Sequence, residues 1–320
     1  MTISRYRQIC LDQTPYYHCV SRCVRRAYLC GWDRFSGKSY EHRRGWVEAL
    51  LLKLSEAFCI DIVGYAVMSN HYHVILKVDA DSASLLTPYE VIDRWAQLYT
   101  VGPLISRYRD GEFLSEEEKV WVDAQIERWR VSLMNLSRFM GYLNEKIARQ
   151  ANKEDGCAGR FWEGRFKSQA LLDETALLQC MAYVDLNPVR AGIAKTPEVS
   201  EYTSLKHRLD HETNDLVPFL SPGAENPHLT DSLPVAFSDY LELLDWTGRI
   251  IRGDKNGSIP ETYPPILDRM GTSHQQWIRA MTPPKTWMQR ALGSTTRIKA
   301  YCHAIGQQWL WQKSDFRTAT

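Results

Sequence analysis

The chain has 320 residues, of which 44% are hydrophobic, and its 39 basic and 38 acidic residues leave a formal net charge of +1. This length and apolar content predict one large domain, or a domain with an appended piece, around a sizeable core. No apolar run is long enough to cross a membrane and the first residues lack the apolar segment of a signal peptide, which argues against membrane and secreted proteins and favours a cytoplasmic one.

The first expected element is a strand over Tyr16 to Cys23, which is rich in aromatic and β-branched residues. We interpret His18, in this strand, as a structural residue. Apolar residues at helical spacing over 46–58 then predict an amphipathic helix that packs on the sheet. The eight cysteines match neither a disulfide ladder nor a standard zinc ribbon, so we expect reduced thiols.

Two β-rich runs, 62–68 and 72–78, are separated by a short polar turn and predict adjacent strands. Because side chains alternate along a strand, His71 and His73 point to the same face. Two neighbouring imidazoles suit a divalent metal that needs only one or two further ligands. The alternative is a pair of ordinary, partly buried histidines with satisfied hydrogen bonds.

The middle of the chain contains an acidic insertion over about 79–130, with a helical stretch near Glu116 to Trp129. A long amphipathic helix over 133–150 follows it. Residues 161–170 predict a further strand, with Arg165 and Lys167 on one side, where both could follow a phosphate backbone. The next helix begins at Asp173-Glu174-Thr175 and is ended by Pro188.

Three motifs together resemble the REP-associated tyrosine transposases, a branch of the single-tyrosine HUH transposases. The family has an Asn-His-x-His-Leu-type strand, matched by residues 70–74, and a Gly-Arg-x-Phe-Trp/Gln-x-Arg-Phe/Tyr-Lys strand, matched by 159–168. It also has a helix that ends in Tyr-x-x-x-Asn-Pro-Val-Arg-Ala-Gly, matched by 183–192. The resemblance covers roughly 12–206 without the insertion. The chain departs from the family in Tyr72, where an aliphatic residue is usual, in the insertion and in its long C-terminal extension.

The resemblance implies an α+β fold, with an antiparallel sheet of four or five strands in a ferredoxin-like or RNA-recognition-motif-like arrangement and helices mainly on one face. It places an HUH-type catalytic domain at 1–206. Residues 207–235 read as a linker or extended wrap, and 236–320 as a mostly helical extension. That extension is expected to bind DNA through its basic residues or to brace the catalytic domain.

The resemblance also implies the chemistry of the site. His71, His73 and Asn187 would bind Mg²⁺ or Mn²⁺, a choice of metal that suits imidazole and amide-oxygen ligands with open positions. Tyr183, one helical turn before Asn187, would be the nucleophile, forming a 5'-phosphotyrosine link and a free 3'-hydroxyl. Tyr183 as a core aromatic and Asn187 as a helix C-cap are the structural alternatives.

The expected partner is single-stranded or hairpin DNA of the REP-like palindrome type, which implies a nucleoid-associated protein. We expect no membrane or small-molecule partner, and either a monomer or a homodimer. Charge supports a polyanion, because 1–45 and 246–320 are basic whereas 81–130 and 209–245 are acidic. The candidate DNA-binding residues are Arg22, Arg25, Arg26, Arg160, Trp162, Arg165, Lys167 and Arg190.

The predicted function is therefore a metal-dependent, single-stranded DNA transposase or endonuclease that cleaves and rejoins hairpin-forming repeat DNA. Two alternatives stay open. One is a domesticated hairpin-binding protein with little cleavage activity, and the other is a metal-dependent nuclease in which water attacks and Tyr183 is incidental.

Overall fold

The computed structural model describes residues 8–24, 29–33, 37–211, 215–221, 232–252, 264–281, 289–308 and 310. Seven strands lie within these residues: β1 (Tyr16–Arg22), β2 (Trp32–Asp33), β3 (Lys38–Ser39), β4 (Ile60–Val67), β5 (His71–Val78), β6 (Lys167–Leu171) and β7 (Ala291–Leu292). The helices of the same residues up to the end of β6 are α1 (His42–Ala57), α2 (Ala80–Leu85), α3 (Pro88–Ala96), α4 (Pro103–Arg109), α5 (Glu116–Leu133) and α6 (Leu136–Glu154).

After β6 the chain is largely helical. The described helices there are α7 (Glu174–Asp185), α8 (Asn187–Arg190), α9 (Ser204–Asp210), α10 (Phe237–Arg252), α11 (Pro265–Arg269), α12 (His274–Met281) and α13 (Thr295–Ala304). The Asp173 side chain caps α7 by accepting a hydrogen bond from the Ala176 amide at 2.9 Å. This capped start and the stop before Pro188 agree with the sequence prediction.

Five strands form one sheet in the order β4-β5-β1-β6-β7. The first four strands pair antiparallel, whereas β7 pairs parallel to β6. β4 and β5 form a hairpin closed by a hydrogen bond from Met68 N to His71 O at 2.8 Å. The strand that carries both histidines therefore lies inside the sheet, and its backbone groups are paired on both sides. This order and connectivity are those of a ferredoxin-like core, as expected.

One face of the sheet is covered by α1 and α6. Alternate side chains of β5 point into this layer, and the largest of them, Tyr72, donates a hydrogen bond to Asn144 Oδ1 on α6 at 2.8 Å. The insertion helices extend the same core, since Trp95 of α3 stacks on Trp129 of α5 with ring centroids 5.2 Å apart. The insertion is thus packed against the first layer.

The other face is covered by α7 together with α10, α11 and α12, which form a second apolar cluster. Trp277 of α12 is fully buried there, and its Nε1 donates to Thr247 Oγ1 at 2.9 Å. The expectation that helices lie mainly on one face holds for the ferredoxin-like core but not beyond it. The reason is that α7 lies on the opposite sheet face, and the helices of the C-terminal extension pack with α7 into the second apolar cluster.

The described part of the expected linker runs beside β4. The amide of Val217 donates to Ile62 O at 2.8 Å, and Leu220 bridges to Ala236. The linker over 207–235 stays a prediction, and its first residues, 207–210, belong to α9. Among the helices of the described residues, none has both the length and the apolar character needed to span a membrane.

Candidate active site

The two histidines of β5 lie on the sheet face that α7 covers. Their ring centroids are 4.9 Å apart at an interplanar angle of 74°. His73 is buried and His71 is half-buried. The alternation read from the sequence thus places both imidazoles side by side on one face.

A third imidazole, which the sequence reading did not include in the site, stands beside them. His18 of β1 stacks on His73 with ring centroids 5.1 Å apart, and its Nε2 lies 2.9 Å from His73 Nδ1. The signal was present in the sequence, because His18 and Arg22 share one face of β1 by alternation. What was missing was the register that pairs β1 with β5.

Burial keeps these three rings neutral at pH 7. Desolvation lowers the pKa of His18 to about 4 and that of His71 to about 4, and it lowers the pKa of His73 well below its ordinary value. The positive charge of Arg22 lowers the pKa of His71 and His73 further. Neutral imidazole is the form that can bind a metal ion.

The end of α7 and the start of α8 bring Tyr183 and Asn187 to the same place. The Tyr183 ring meets His73 edge to face, with centroids 5.5 Å apart. The Nδ2 atom of Asn187 lies 3.0 Å from His73 Nε2. Four residues singled out from separate stretches of sequence, His71, His73, Tyr183 and Asn187, therefore form one cluster.

Two arginines flank the tyrosine. The guanidinium carbon of Arg190 lies 5.4 Å from the centroid of the Tyr183 ring, and one of its amino groups donates to the main-chain oxygen of Met281 on α12. Arg22, exposed at the end of β1, pairs in register with His71. Burial raises the pKa of Tyr183, while Arg190, the hydrogen bond with Asn187 and Arg22 lower it. Arg25 and Arg26 lie outside the described residues.

Lys167 belongs to the same face. It pairs with Val20 of β1, which in turn pairs with His73, and directly opposite residues in a sheet point to one side. Its side chain is exposed. Lys167 and Arg22 therefore add two positive charges to the sheet face that carries the histidines.

The strand predicted over 161–170 begins only at Lys167, so the alternation expected before it is wrong. Phe161 and Trp162 are adjacent yet both are buried in the first core. Trp162 packs edge to face on Tyr72, and its Nε1 donates to Asn144 O at 2.8 Å. These contacts hold the segment in an irregular path. They also leave Trp162 with only 8% of its surface exposed.

An open groove of about 550 Å³ lies between α6 and the 160–166 segment. Its lining includes Trp162, Arg160 and Arg165, three of the candidate DNA-binding residues, and both arginines are exposed. Gly141 of α6 lines the opposite wall. The groove lies at the same end of the sheet as the histidines, because Glu163 N donates to Arg22 O at 2.8 Å.

The donor set fits a divalent cation. The amide oxygen of Asn70 lies 2.6 Å from His71 Nδ1, so that nitrogen carries the hydrogen and Nε2 of His71 keeps its lone pair. Nε2 of His73 also acts as an acceptor, facing the Asn187 amide, and turning that amide by 180° would present its oxygen instead. Two imidazoles and one amide oxygen would occupy three positions of a divalent cation and leave the others open.

No protein-family model and no curated protein matches this chain. Among solved structures, the chain is similar to one described as a REP-associated tyrosine transposase bound to a REP hairpin. The likeness covers 70% of this chain and 92% of that chain, at 11% sequence identity and a TM-score of 0.36. A likeness of this size says nothing about activity or ligands, which have to be inferred from the side chains of this chain.

Proposed function

We propose that this protein is a metal-dependent, single-stranded DNA transposase or endonuclease that cleaves and rejoins hairpin-forming DNA through a phosphotyrosine intermediate. The observation that carries the proposal is the cluster of Tyr183, His73 and Asn187, with His71 beside it. A tyrosine at the end of a helix, facing two neutral imidazoles and an amide, matches the set of residues that this chemistry needs.

In the proposed reaction, the Tyr183 oxygen attacks the scissile phosphorus. A bond forms between that oxygen and phosphorus, and the bond to the 3'-oxygen of the preceding nucleotide breaks. Overall, the phenolic proton passes to the 3'-oxygen, which leaves as a hydroxyl. The phosphotyrosine bond conserves the energy of the broken phosphodiester, so the reverse attack by a 3'-hydroxyl rejoins a strand without a nucleotide cofactor.

Tyr183 requires activation, because a buried phenol with a raised pKa is a weak nucleophile. Arg190 and Arg22 place positive charge near the ring, which favours the phenolate and attracts the phosphate. Mg²⁺ or Mn²⁺ bound by His71, His73 and Asn187 would supply Lewis-acid stabilisation of charge on the phosphate oxygens. The protein holds the three ligands and the nucleophile on neighbouring elements.

The exposed basic side chains near the site favour a nucleic acid over a small substrate. Arg22 and Lys167 extend the positive charge along the histidine face, where a phosphate backbone could lie. Arg160 and Arg165 border the groove, whose floor is aromatic. We propose that the groove receives an unpaired nucleotide beside the cleavage site, since aromatic floors and cationic walls suit a single-stranded base and its phosphate.

The DNA-binding role of the extension stays a separate prediction. Three basic residues of the extension, Arg290, Arg297 and Lys299, are exposed. They could contact a duplex stem, while other parts of the same extension pack against the catalytic helix.

The test is covalent trapping on a denaturing gel. Protein is incubated with labelled hairpin DNA, with and without Mn²⁺, and shifted protein is scored before and after nuclease treatment. The wild type should form a metal-dependent adduct, and Tyr183→Phe should form none while it binds the hairpin almost as well, because one hydroxyl is lost and the basic surface is kept.

The other outcomes separate the remaining candidates. Cleavage without an adduct, at the same rate in Tyr183→Phe, would favour attack by water. Hairpin binding without cleavage in any metal would favour a DNA-binding protein that has no strand-transfer activity.

A further inference from the structure

A series of hydrogen bonds runs from Asn187, through the sheet, to the C-terminal extension. Asn187 Nδ2 contacts His73 Nε2 at 3.0 Å, and His73 Nδ1 contacts His18 Nε2 at 2.9 Å. His18 Nδ1 lies 3.3 Å from Gln169 Oε1, and Gln169 Nε2 donates to the main-chain oxygen of Gln289 at 2.8 Å. The four side chains from His73 to Gln289 are each at most 8% exposed.

The hydrogen bond to the Gln289 carbonyl fixes which atom donates in the preceding hydrogen bonds of the series. A main-chain carbonyl only accepts, so the amino end of Gln169 must face Gln289 and its oxygen must face His18. That oxygen also only accepts, so Nδ1 of His18 carries the hydrogen and Nε2 is the acceptor. His73 must then donate from Nδ1, which leaves the lone pair of its Nε2 pointing towards Asn187 and the site.

The carbonyl that sets this direction is itself held in place. It lies just before β7, and the parallel pairing of β7 with β6 includes bonds from Ala170 N to Arg290 O and from Leu172 N to Leu292 O, both 2.9 Å. Rotation of this backbone would break the edge of the sheet. The position of the Gln289 oxygen therefore follows from the fold.

We propose that Gln169 and the Gln289 carbonyl are positioning groups that set the tautomer of His73, through His18, so that its Nε2 stays unprotonated. The consequence of this for cleavage rests on the proposed function, whereas the tautomer itself does not. A histidine ligand commonly depends on such a partner for its other nitrogen. Here the series of hydrogen-bond partners ends at Gln289, 120 residues after Gln169 in the sequence.

Two further contacts bind the extension to the site independently. The Tyr240 hydroxyl of α10 donates to Asp185 Oδ2 at 2.5 Å, and Asp185 is two residues from Tyr183 on the same helix. The main-chain oxygen of Met281 accepts a hydrogen bond from Arg190. The extension thus contacts Gln169, the helix that carries Tyr183, and Arg190, so it supports the candidate site at three points.

The experiment uses the full chain labelled with nitrogen-15 at histidine, in which ring nitrogen chemical shifts distinguish the two neutral tautomers. Wild-type His73 should populate the Nδ1-protonated tautomer alone. Gln169→Met, which keeps the side-chain volume but removes both hydrogen bonds, should give a mixture of tautomers. Mn²⁺ affinity, measured without DNA, should fall about 10- to 100-fold.

Two comparison variants separate positioning from simple loss of structure. Gln169→Glu keeps an acceptor for His18, so it should retain the wild-type tautomer. Thr247→Val removes buried hydrogen bonds with Leu243 and Trp277 in the extension. Neither residue belongs to the series from Asn187 to Gln289, so the variant should lower the melting temperature without changing the tautomer of His73.

A single Nδ1-protonated tautomer and unchanged Mn²⁺ affinity in Gln169→Met would overturn the proposal, and so would an equal tautomer change in Thr247→Val. If Gln169→Met does not fold, Gln169→Asn takes its place, because that side chain is too short to bridge His18 and Gln289. Absence of any DNA adduct in the wild type would refute the proposed function while leaving the tautomer result to be judged by itself.

Discussion

The two faces of β5 differ in chemistry although one strand supplies both. Towards α1 and α6 it presents four buried side chains, Tyr72, Val74, Leu76 and Val78. Towards α7 it presents His71 and His73 near the turn, then Ile75, and at the far end Lys77, which pairs with Asp61. Only the end that carries the histidines meets Tyr183.

This difference between the two faces of β5 shows where a packed sheet can hold reactive groups. Burying polar atoms is costly unless they have partners, and the ring nitrogens of His73 both have one. On the face towards α1 and α6, which we call the apolar face, only the Tyr72 hydroxyl has such a partner, Asn144, and the other side chains stabilise the fold by burial. We therefore expect substitutions on the two faces to separate chemistry from stability.

The largest effect on chemistry should come from His71→Ala on the polar face. It removes one candidate metal ligand from a half-buried position, so the metal-dependent adduct should disappear. The free energy of unfolding should change by only about 1 kcal/mol, because little apolar surface is lost. Adduct trapping and urea unfolding measure the two effects, and an adduct at the wild-type rate would remove His71 from the site.

The matching substitution on the apolar face is Leu76→Ala. Leu76 is fully buried, and truncating it leaves a cavity, so the free energy of unfolding should fall by about 2 to 5 kcal/mol. The protein that remains folded should form adduct at an unchanged rate per folded molecule. A large loss of catalysis in the folded fraction would mean that the two faces are coupled and the comparison fails.

Tyr240→Phe tests the hydrogen bond by which α10 of the extension holds Asp185 of α7. It removes a hydrogen bond from Asp185, whose pKa burial raises, while Ser204 still donates to that carboxyl at 2.8 Å. We expect a loss of about 1 to 3 kcal/mol in the free energy of unfolding. Thermal unfolding checks this, and an unchanged melting temperature would show that the Tyr240 hydroxyl adds nothing to stability.

The smallest effect concerns the groove on the apolar side. Gly141 has open space where a Cβ would stand, so Gly141→Leu should fill the groove, whereas Gly141→Ala should only favour the helix. Binding of hairpins with a single-stranded flank should weaken by about 1 kcal/mol, roughly fivefold, in the leucine variant alone. Fluorescence anisotropy with flanked and blunt hairpins measures it, and equal affinity of both variants for flanked DNA would exclude the groove.

Local periodicity was enough to predict that His71 and His73 share a face, and that Tyr183 and Asn187, which the family resemblance singled out, lie one helical turn apart. A two-residue period fixes one face of a strand, and a four-residue step fixes one face of a helix. It failed over 160–166, because the burial of Trp162 against α6 decided the path of the chain. It also missed the role of His18, since that depends on contacts with His73 and Gln169, which are 55 and 151 residues away.

The parallel pairing of β7 with β6 has a consequence for synthesis. A growing chain acquires Tyr183 and all the candidate metal ligands well before it acquires the segment around Gln289 that pairs with β6. Until that segment leaves the ribosome, the Gln169 amide has no carbonyl to orient it, and His73 is free to hold its proton on either nitrogen. A nascent chain would then carry all the candidate residues with a mixture of His73 tautomers, so on the proposed function it would bind the metal more weakly until the extension has been made and has docked.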